Sequence, residues 1–233
     1  MSVLLDKNYV RSLFDSIAYR YDLLNHLLSG GVDFYWRRKA VECLRDLQPK
    51  RILDIATGTG DFAIAATQLK PERVVGVDLS QKMLELGNEK IRRKNLSSTI
   101  VLQAGDAEHL EFNTDSFDAT IVAFGVRNFE DLEAGLREMY RVLRPGGRIA
   151  VLEFSKPSAF PFRQVYLFYF LKILPSIGRL VSKHKEAYQY LSDSVMEFPE
   201  GDEFLKTLRS IVFANTEAKR LTFGIVTIYC GKK

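Results

Sequence analysis

Residues 51–80 read RILDIATGTGDFAIAATQLKPERVVGVDLS, and this stretch decides the fold. The run RILDIA over 51–56 is short, apolar and closed by a turn, the signal of a buried strand. A glycine-rich turn follows at Thr57-Gly58-Thr59-Gly60, then a helical pattern over 61–70, then a second strand, RVVGVD, over 73–78. Strand, turn, helix and strand in that order make the unit of a parallel sheet, whose neighbouring strands are joined by right-handed helical crossovers.

The same alternation continues downstream. Residues 80–94 form a helix capped by Ser80, 99–104 a third strand, 117–125 a fourth and 131–143 a helix. A fifth strand over 147–155 follows the turn Pro145-Gly146-Gly147. Beyond it come an aromatic-rich helical segment over 160–198, a helix over 201–212, and two strands near 217–222 and 224–230. Upstream, residues 8–48 read as helical and are broken by Gly30-Gly31. The expectation is an α/β protein with a doubly wound, mainly parallel, seven-stranded sheet. Its parts are a helical cap (1–49), a βα core (50–155), a helical lid (156–212) and a terminal strand hairpin (213–233), all within one domain.

Composition narrows the function classes. A chain of 233 residues with 46% apolar and 27% charged side chains builds a globular core. The net charge of +4 is too mild to argue for nucleic acid, and none is expected as a partner. The charge is uneven, with six Lys or Arg against Glu186 alone between Ser155 and Tyr190. Cys43 and Cys230 lie far apart in sequence and outside any metal or redox spacing, so they read as two reduced thiols of a cytoplasmic protein. The opening stretch MSVLLDKNYVRSLFDS is too polar for a signal peptide and too acidic for a transit peptide. The longest apolar stretch, Val165–Leu174, is interrupted by Lys172 and closed by Pro175, which is too short to span a bilayer.

Open α/β sheets bind ligands at the carboxyl ends of their strands. Here the first strand runs into Asp54-Ile55-Ala56-Thr57-Gly58-Thr59-Gly60-Asp61, where two glycines let a ligand approach the backbone. That loop alone also satisfies a loose dinucleotide fingerprint. Three acids sharpen the reading. Asp78 ends the second strand, where a carboxylate accepts both hydrogens of a ribose diol. Asp106, followed by Ala107, ends the third, where an acid beside a backbone amide reads an adenine edge. Asp54 precedes the glycines, and a negative charge there suits a sulfonium ligand carrying an ammonium group better than a pyrophosphate. The structural alternative for Asp78 alone is an acid at a helix N-terminus.

At these residues the chain resembles the class I, Rossmann-like methyltransferases, whose sheet ends in a hairpin with one antiparallel strand. It is more closely similar to the ubiquinone/menaquinone-biosynthesis C-methyltransferases. One block is Tyr21-Asp22-Leu23-Leu24-Asn25 with Ser29 and Trp36. A second is Phe124-Gly125-Val126-Arg127-Asn128. The third runs from Arg141-Val142-Leu143-Arg144-Pro145-Gly146-Gly147 to Glu153-Phe154-Ser155-Lys156-Pro157, with a fainter echo at Tyr188-Gln189-Tyr190-Leu191 and Ser194. The resemblance implies S-adenosylmethionine as methyl donor, contacted by Thr59, Asp78, Asp106 and Ala107; the reading of the loop itself adds Asp54, Gly58 and Gly60. It implies a prenylated quinol as acceptor, demethylmenaquinol first and a ubiquinone-pathway benzoquinol second. No metal is expected, since methyl transfer from a sulfonium needs none and His26, His109 and His184 have no partner at metal spacing. Two positions depart from the family pattern: Asp33 stands where a His is usual, and Ala123 where a Ser is frequent.

Methyl transfer to a ring carbon needs a phenolate, and a free phenol titrates near pH ~10, so the enzyme must supply a base or a cationic donor. Arg127, after the fourth strand, is the first candidate catalytic residue. It either stabilises the phenolate or orients a water that takes the proton; the alternative is a salt bridge to a neighbouring helix. Tyr21 and Asn25 are the other catalytic candidates, forming a substrate wall from the cap with Asp22, unless they serve helix packing. The segment Phe160–Leu180 carries apolar residues on more than one helical face. A second apolar face calls for a prenyl tail, a partner subunit in a homodimer, or the bilayer interface. Flanked by Arg163, Lys172, Arg179, Lys183 and Lys185, it suits peripheral contact with the inner face of the membrane. Two other classes remain open: a nucleotide-dependent oxidoreductase on a similar sheet, and an inactive methyltransferase-like binding module.

Overall fold

A computed structural model describes residues 6–157, 159–168 and 185–233; within them, the side chains of residues 20, 23–25, 27, 28, 165, 167 and 185–189 lie outside the description. The strands are β1 (Arg51–Ile55), β2 (Arg73–Asp78), β3 (Ile100–Ala104), β4 (Phe117–Ala123), β5 (Leu143–Phe154), β6 (Ala214–Leu221) and β7 (Val226–Lys232). They form one seven-stranded sheet in the order β3-β2-β1-β4-β5-β7-β6. Strand β7 runs antiparallel to both β5 and β6, while β1 to β5 pair in parallel. The expected sheet and its terminal hairpin are both present.

In the central strands successive side chains alternate between two covered faces, which is why these strands read as largely apolar runs. On one face Ile52, Ile121 and Leu152 pack with Trp36, Ala40 and Val41 of α2 (Val32–Glu42). The same layer takes in Phe62 and Ala63 of α3 (Asp61–Ala66), and Leu84 and Ile91 of α4 (Gln81–Arg93). On the other face Leu53, Val122 and Val151 meet Leu136 and Met139 of α5 (Leu132–Val142). Phe204 and Leu208 of α8 (Asp202–Ser210) complete that layer. Helix α4 starts as the sequence predicts, with the Ser80 hydroxyl accepting from Met83 N at 3.2 Å.

Some boundaries move for local reasons. The helix predicted over 61–70 tightens into a 3-10 turn at Thr67–Leu69. The Pro145-Gly146-Gly147 turn lies inside β5 as a bulge: pairing with β4 jumps from Phe117↔Leu143 to Ala119↔Arg148, and Gly146 takes a φ of +82°. Cys43 and Cys230, distant in sequence, come together in space: contact with Cys43 and then burial push the Cys230 thiol up. Both are free thiols.

The cap is α1 (Lys7–Leu28) followed by α2. Trp36 is buried against Phe124 and Phe154 and donates its indole N–H to Thr222 Oγ1 at 2.7 Å. Two further helices, α6 (Phe162–Phe168) and α7 (Lys185–Glu197), belong to the expected lid. Residues 169–184, which hold Phe170, Leu171, Lys172, Leu174, Arg179 and Lys183, lie outside the described residues. Among the described residues no helix is long and apolar enough to cross a membrane.

Candidate active site

Strand order reverses between β1 and β4, and a groove opens there at the carboxyl ends of the strands. Two residues at this point carry left-handed backbone without being glycine: Ala56 (φ +50°) after β1 and Phe124 (φ +59°) after β4. Such conformations cost of order 1 kcal/mol or more and gather at functional sites. They let the two loops close on each other, since a Cβ on Gly125 would sit 2.6 Å from Ala56 Cβ. Gly58, at φ +55°, leaves its Cβ position open toward the groove, with the nearest atom, Tyr21 Cε1, 4.0 Å away.

Asp78 reaches the groove from the end of β2. Its two oxygens accept from Gly58 N at 2.7 Å and Ser80 N at 2.8 Å, so the carboxylate is fixed against the glycine loop. Burial, only partly offset by these amides, pushes its pKa up. Asp106 stands across from it, after β3. Its oxygens accept from Glu108 N at 2.9 Å and from Lys7 Nζ at 2.7 Å, and Lys7 also meets Glu108 Oε2 at 2.9 Å. Burial alone would raise the Asp106 carboxyl, but the Lys7 hydrogen bond and charge hold it below the usual range. Apolar Leu79, Met83 and Ala107 line the wall between the two acids.

Of the residues singled out from sequence, Gly58, Asp78, Asp106, Ala107 and Tyr21 line this groove. Ala123, at the second departure position, lines it too, as do Phe124, Gly125 and Asn128 of the second motif block. Asp54, Thr59 and Gly60 are not among its lining residues. Asp54 is completely buried beneath the loop, accepting from Thr57 Oγ1 at 2.5 Å, and burial pushes its pKa up to about 7. The Thr59 hydroxyl donates to Asp22 Oδ1 at 2.6 Å and accepts from Lys90 Nζ at 2.9 Å, tying the loop to the cap and to α4. Gly60 caps α3 with a φ of +81°. Asn25 falls within α1, and its side chain lies outside the described ones. At the departure position, Asp33 is buried among His26 Nδ1 and Ser29 Oγ, each at 2.8 Å, and Arg37. The sequence's substitute for the usual His thus takes a His partner from α1.

Arg127 is buried and forms a salt bridge, but with a strand rather than a helix. Its Nη1 donates to the Phe124 carbonyl at 2.6 Å and to Glu153 Oε1 at 2.7 Å, at the end of β5. Its guanidinium also lies 5.5 Å from the Phe154 ring centre. The next residue, Asn128, lines the groove, and its Oδ1 accepts from Tyr190 OH of α7 at 2.7 Å. Sequence reasoning gave no role to Lys7, Asn128 or Glu153. Asn128 and Glu153 stood within quoted motif blocks; for Lys7, nothing local signals that α1 folds back onto β3.

The residue set fits a nucleoside-bearing methyl donor: a backbone cradle at Gly58, a diol acceptor at Asp78, and an acid with apolar neighbours for an adenine. Among solved structures, the fold is similar to an S-adenosylmethionine-dependent methyltransferase of Thermotoga maritima, with a TM-score of 0.68 and 21% identity over 95% of this chain and 99% of that one. It is also similar to a Haemonchus contortus phosphoethanolamine N-methyltransferase solved with S-adenosyl-L-methionine, with a TM-score of 0.63 and 16% identity over 96% of this chain and 59% of that one. A Bacteroides fragilis protein named demethylmenaquinone methyltransferase is 45% identical over 96% of this chain and 92% of its own length. A Geotalea daltonii protein named ubiquinone/menaquinone biosynthesis C-methyltransferase UbiE is 48% identical over 96% of each. The ubiE/COQ5 methyltransferase family matches residues 2–233, so this chain belongs to that family and is an S-adenosylmethionine-dependent C-methyltransferase.

Proposed function

We propose that the enzyme methylates a ring carbon of a prenylated quinol, with demethylmenaquinol as the substrate that yields menaquinol. The observation that carries this reading is one groove bounded by Asp78 and Asp106 on one side and by Asn128, next to Arg127, on the other. Bound S-adenosylmethionine supplies an electrophilic methyl group on a sulfonium. Asp78 accepts the ribose diol, Asp106 and the backbone at Ala107 read the adenine, and Gly58 and Gly60 shape the loop. Asp54 and Thr59 brace that loop from behind and, in the case of Asp54, contribute negative charge beneath the cationic end of the donor. Arg127 stabilises the phenolate that activates the ring carbon, and Tyr21 and Asn25 wall the acceptor from the cap. The reaction needs no metal.

A ubiquinone-pathway 2-methoxy-6-polyprenyl-1,4-benzoquinol is the second reading, favoured by the two-pathway name of the Geotalea relative. The enzyme works in the cytoplasm at the inner face of the membrane, where the basic residues of 155–190 meet anionic lipid. Purified enzyme given each quinol in detergent, with methylated product followed by mass spectrometry, tests the assignment. Complementation of strains blocked in each pathway separates the two. Methylation of neither quinol overturns the reading.

A further inference from the structure

The Arg127–Glu153 pair is buried, with side-chain exposures of 5% and 0%. Among the described residues, two of its polar atoms have no hydrogen-bond partner: Arg127 Nε, a donor, and Glu153 Oε2, an acceptor. Glu153 Oε1, by contrast, accepts both from Arg127 Nη1 at 2.7 Å and from Phe154 N at 2.8 Å. An unmet donor and an unmet acceptor in one buried ion pair destabilise the resting fold. The group that answers both is a hydroxyl, which accepts from N–H through its lone pair and donates its hydrogen to a carboxylate. Arg127 directly precedes Asn128, which lines the cofactor groove, and the pair stands behind that lining.

We propose that Arg127 and Glu153 together form the subsite for a phenolic hydroxyl of the acceptor, with Glu153 Oε2 receiving its proton. This rests on the quinol reading above. In the step, the O–H bond breaks and its electron pair stays on oxygen as a phenolate. The proton bonds to Glu153, whose charge goes from −1 to 0, so the Arg127 charge turns from the carboxylate to the new anion. After the methylated ring carbon loses its own hydrogen to solvent, Glu153 returns the proton to the oxygen and is reset.

The surroundings suit a proton acceptor. Burial pushes the Glu153 carboxyl up, opposed chiefly by the Arg127 charge, so it is more basic than an ordinary glutamate. Tyr166 from α6, Tyr190 from α7 and Tyr229 from β7 also face it. Burial raises all three, Tyr190 to about 12, so they stay protonated and do not compete for the proton. Glu200 faces the same cluster and is already engaged, accepting from Lys156 N at 2.6 Å.

The test uses wild-type enzyme and Glu153→Gln. With S-adenosylhomocysteine bound, wild type should bind short-tailed demethylmenaquinol about tenfold or more tightly than the analogue with both hydroxyls replaced by hydrogen. Glu153→Gln should lose roughly 10²- to 10⁴-fold in kcat at neutral pH while keeping its cofactor affinity. Its rate should then climb with pH toward ~10, where the phenol ionises unaided. Equal wild-type affinity for quinol and analogue overturns the subsite, and that comparison stands even if Glu153→Gln fails to fold. A Glu153→Gln enzyme with the wild-type pH profile overturns the proton transfer, leaving water as the occupant of the pair. Wild type that methylates no prenylated quinol brings down the underlying reading as well.

Discussion

Replacing Asp78 with alanine tests the cofactor half of the site most directly. The carboxylate is held in place by two backbone amides, at 2.7 and 2.8 Å, so it meets a ribose without reorganising. Loss of charge-assisted bonds to the diol should weaken S-adenosylmethionine binding by ~1–3 kcal/mol, roughly 5- to 160-fold in Kd. The same substitution also frees the amides of Gly58 and Ser80, so loop loosening must be separated from lost contact. Calorimetry with S-adenosylhomocysteine and its 2′,3′-dideoxy analogue does this as a cycle. In wild type, removing the diol should cost affinity; in Asp78→Ala it should cost almost nothing further. Because burial raises the Asp78 pKa, cofactor affinity should begin to fall with acidification at a higher pH than an ordinary carboxylate would give. Unchanged affinity in the variant, or an equal diol penalty in both proteins, refutes the assignment.

Three further outcomes follow from the geometry. Arg127→Ala should lower turnover far more than cofactor affinity, and should destabilise the fold by about 3–5 kcal/mol because it strands buried Glu153; denaturant unfolding and activity per folded enzyme measure the two effects. Asp54, with its pKa raised to about 7, binds a proton more tightly folded than unfolded, so its ionisation lowers stability as pH rises from about 4 toward 7. Asp54→Asn removes that loss, and its melting temperature relative to wild type should be higher at pH 8 than at pH 5; a difference that does not change with pH contradicts the burial argument. Finally, the enzyme should bind anionic liposomes in a salt-sensitive manner and prefer tailed quinols; indifference to both makes the segment over 160–185 a plain lid.

The sheet was legible because its signal is local and repeated. The inner strands carry apolar centres, such as Val74-Val75-Gly76-Val77 in β2, and two crossover helices open on side-chain caps, Ser80 for α4 and Asp131 for α5. The floor of the cofactor groove was legible for a related reason: Gly58, Asp78 and Asp106 sit at strand ends, and strand order alone brings those ends together. What sequence did not show depends on long-range packing. Whether Thr59 turns into the groove or toward Asp22 and Lys90 is set by where α1 lands. The partner of Arg127 is 26 residues away, at the end of the strand beside β4, so the salt bridge that the sequence left open to a neighbouring helix goes to Glu153 instead.

The placement of α1 also explains why a cap of otherwise ordinary helix composition bears on the chemistry. It ties down the loop after each of the first three strands through an ionic or hydroxyl contact. Asp22 reaches Thr59 at 2.6 Å and Lys90 at 2.6 Å beside the β1 loop, Asp15 accepts from Ser80 Oγ at 2.5 Å after β2, and Lys7 holds Asp106 at 2.7 Å after β3. Each contact is partly exposed and worth little alone. Acting on one rigid helix they are not independent: releasing α1 frees all three loops at once, and seating it sets Tyr21 over Gly58 while the acids around the groove are fixed. The cap therefore couples the three strand-end loops around the groove to one another.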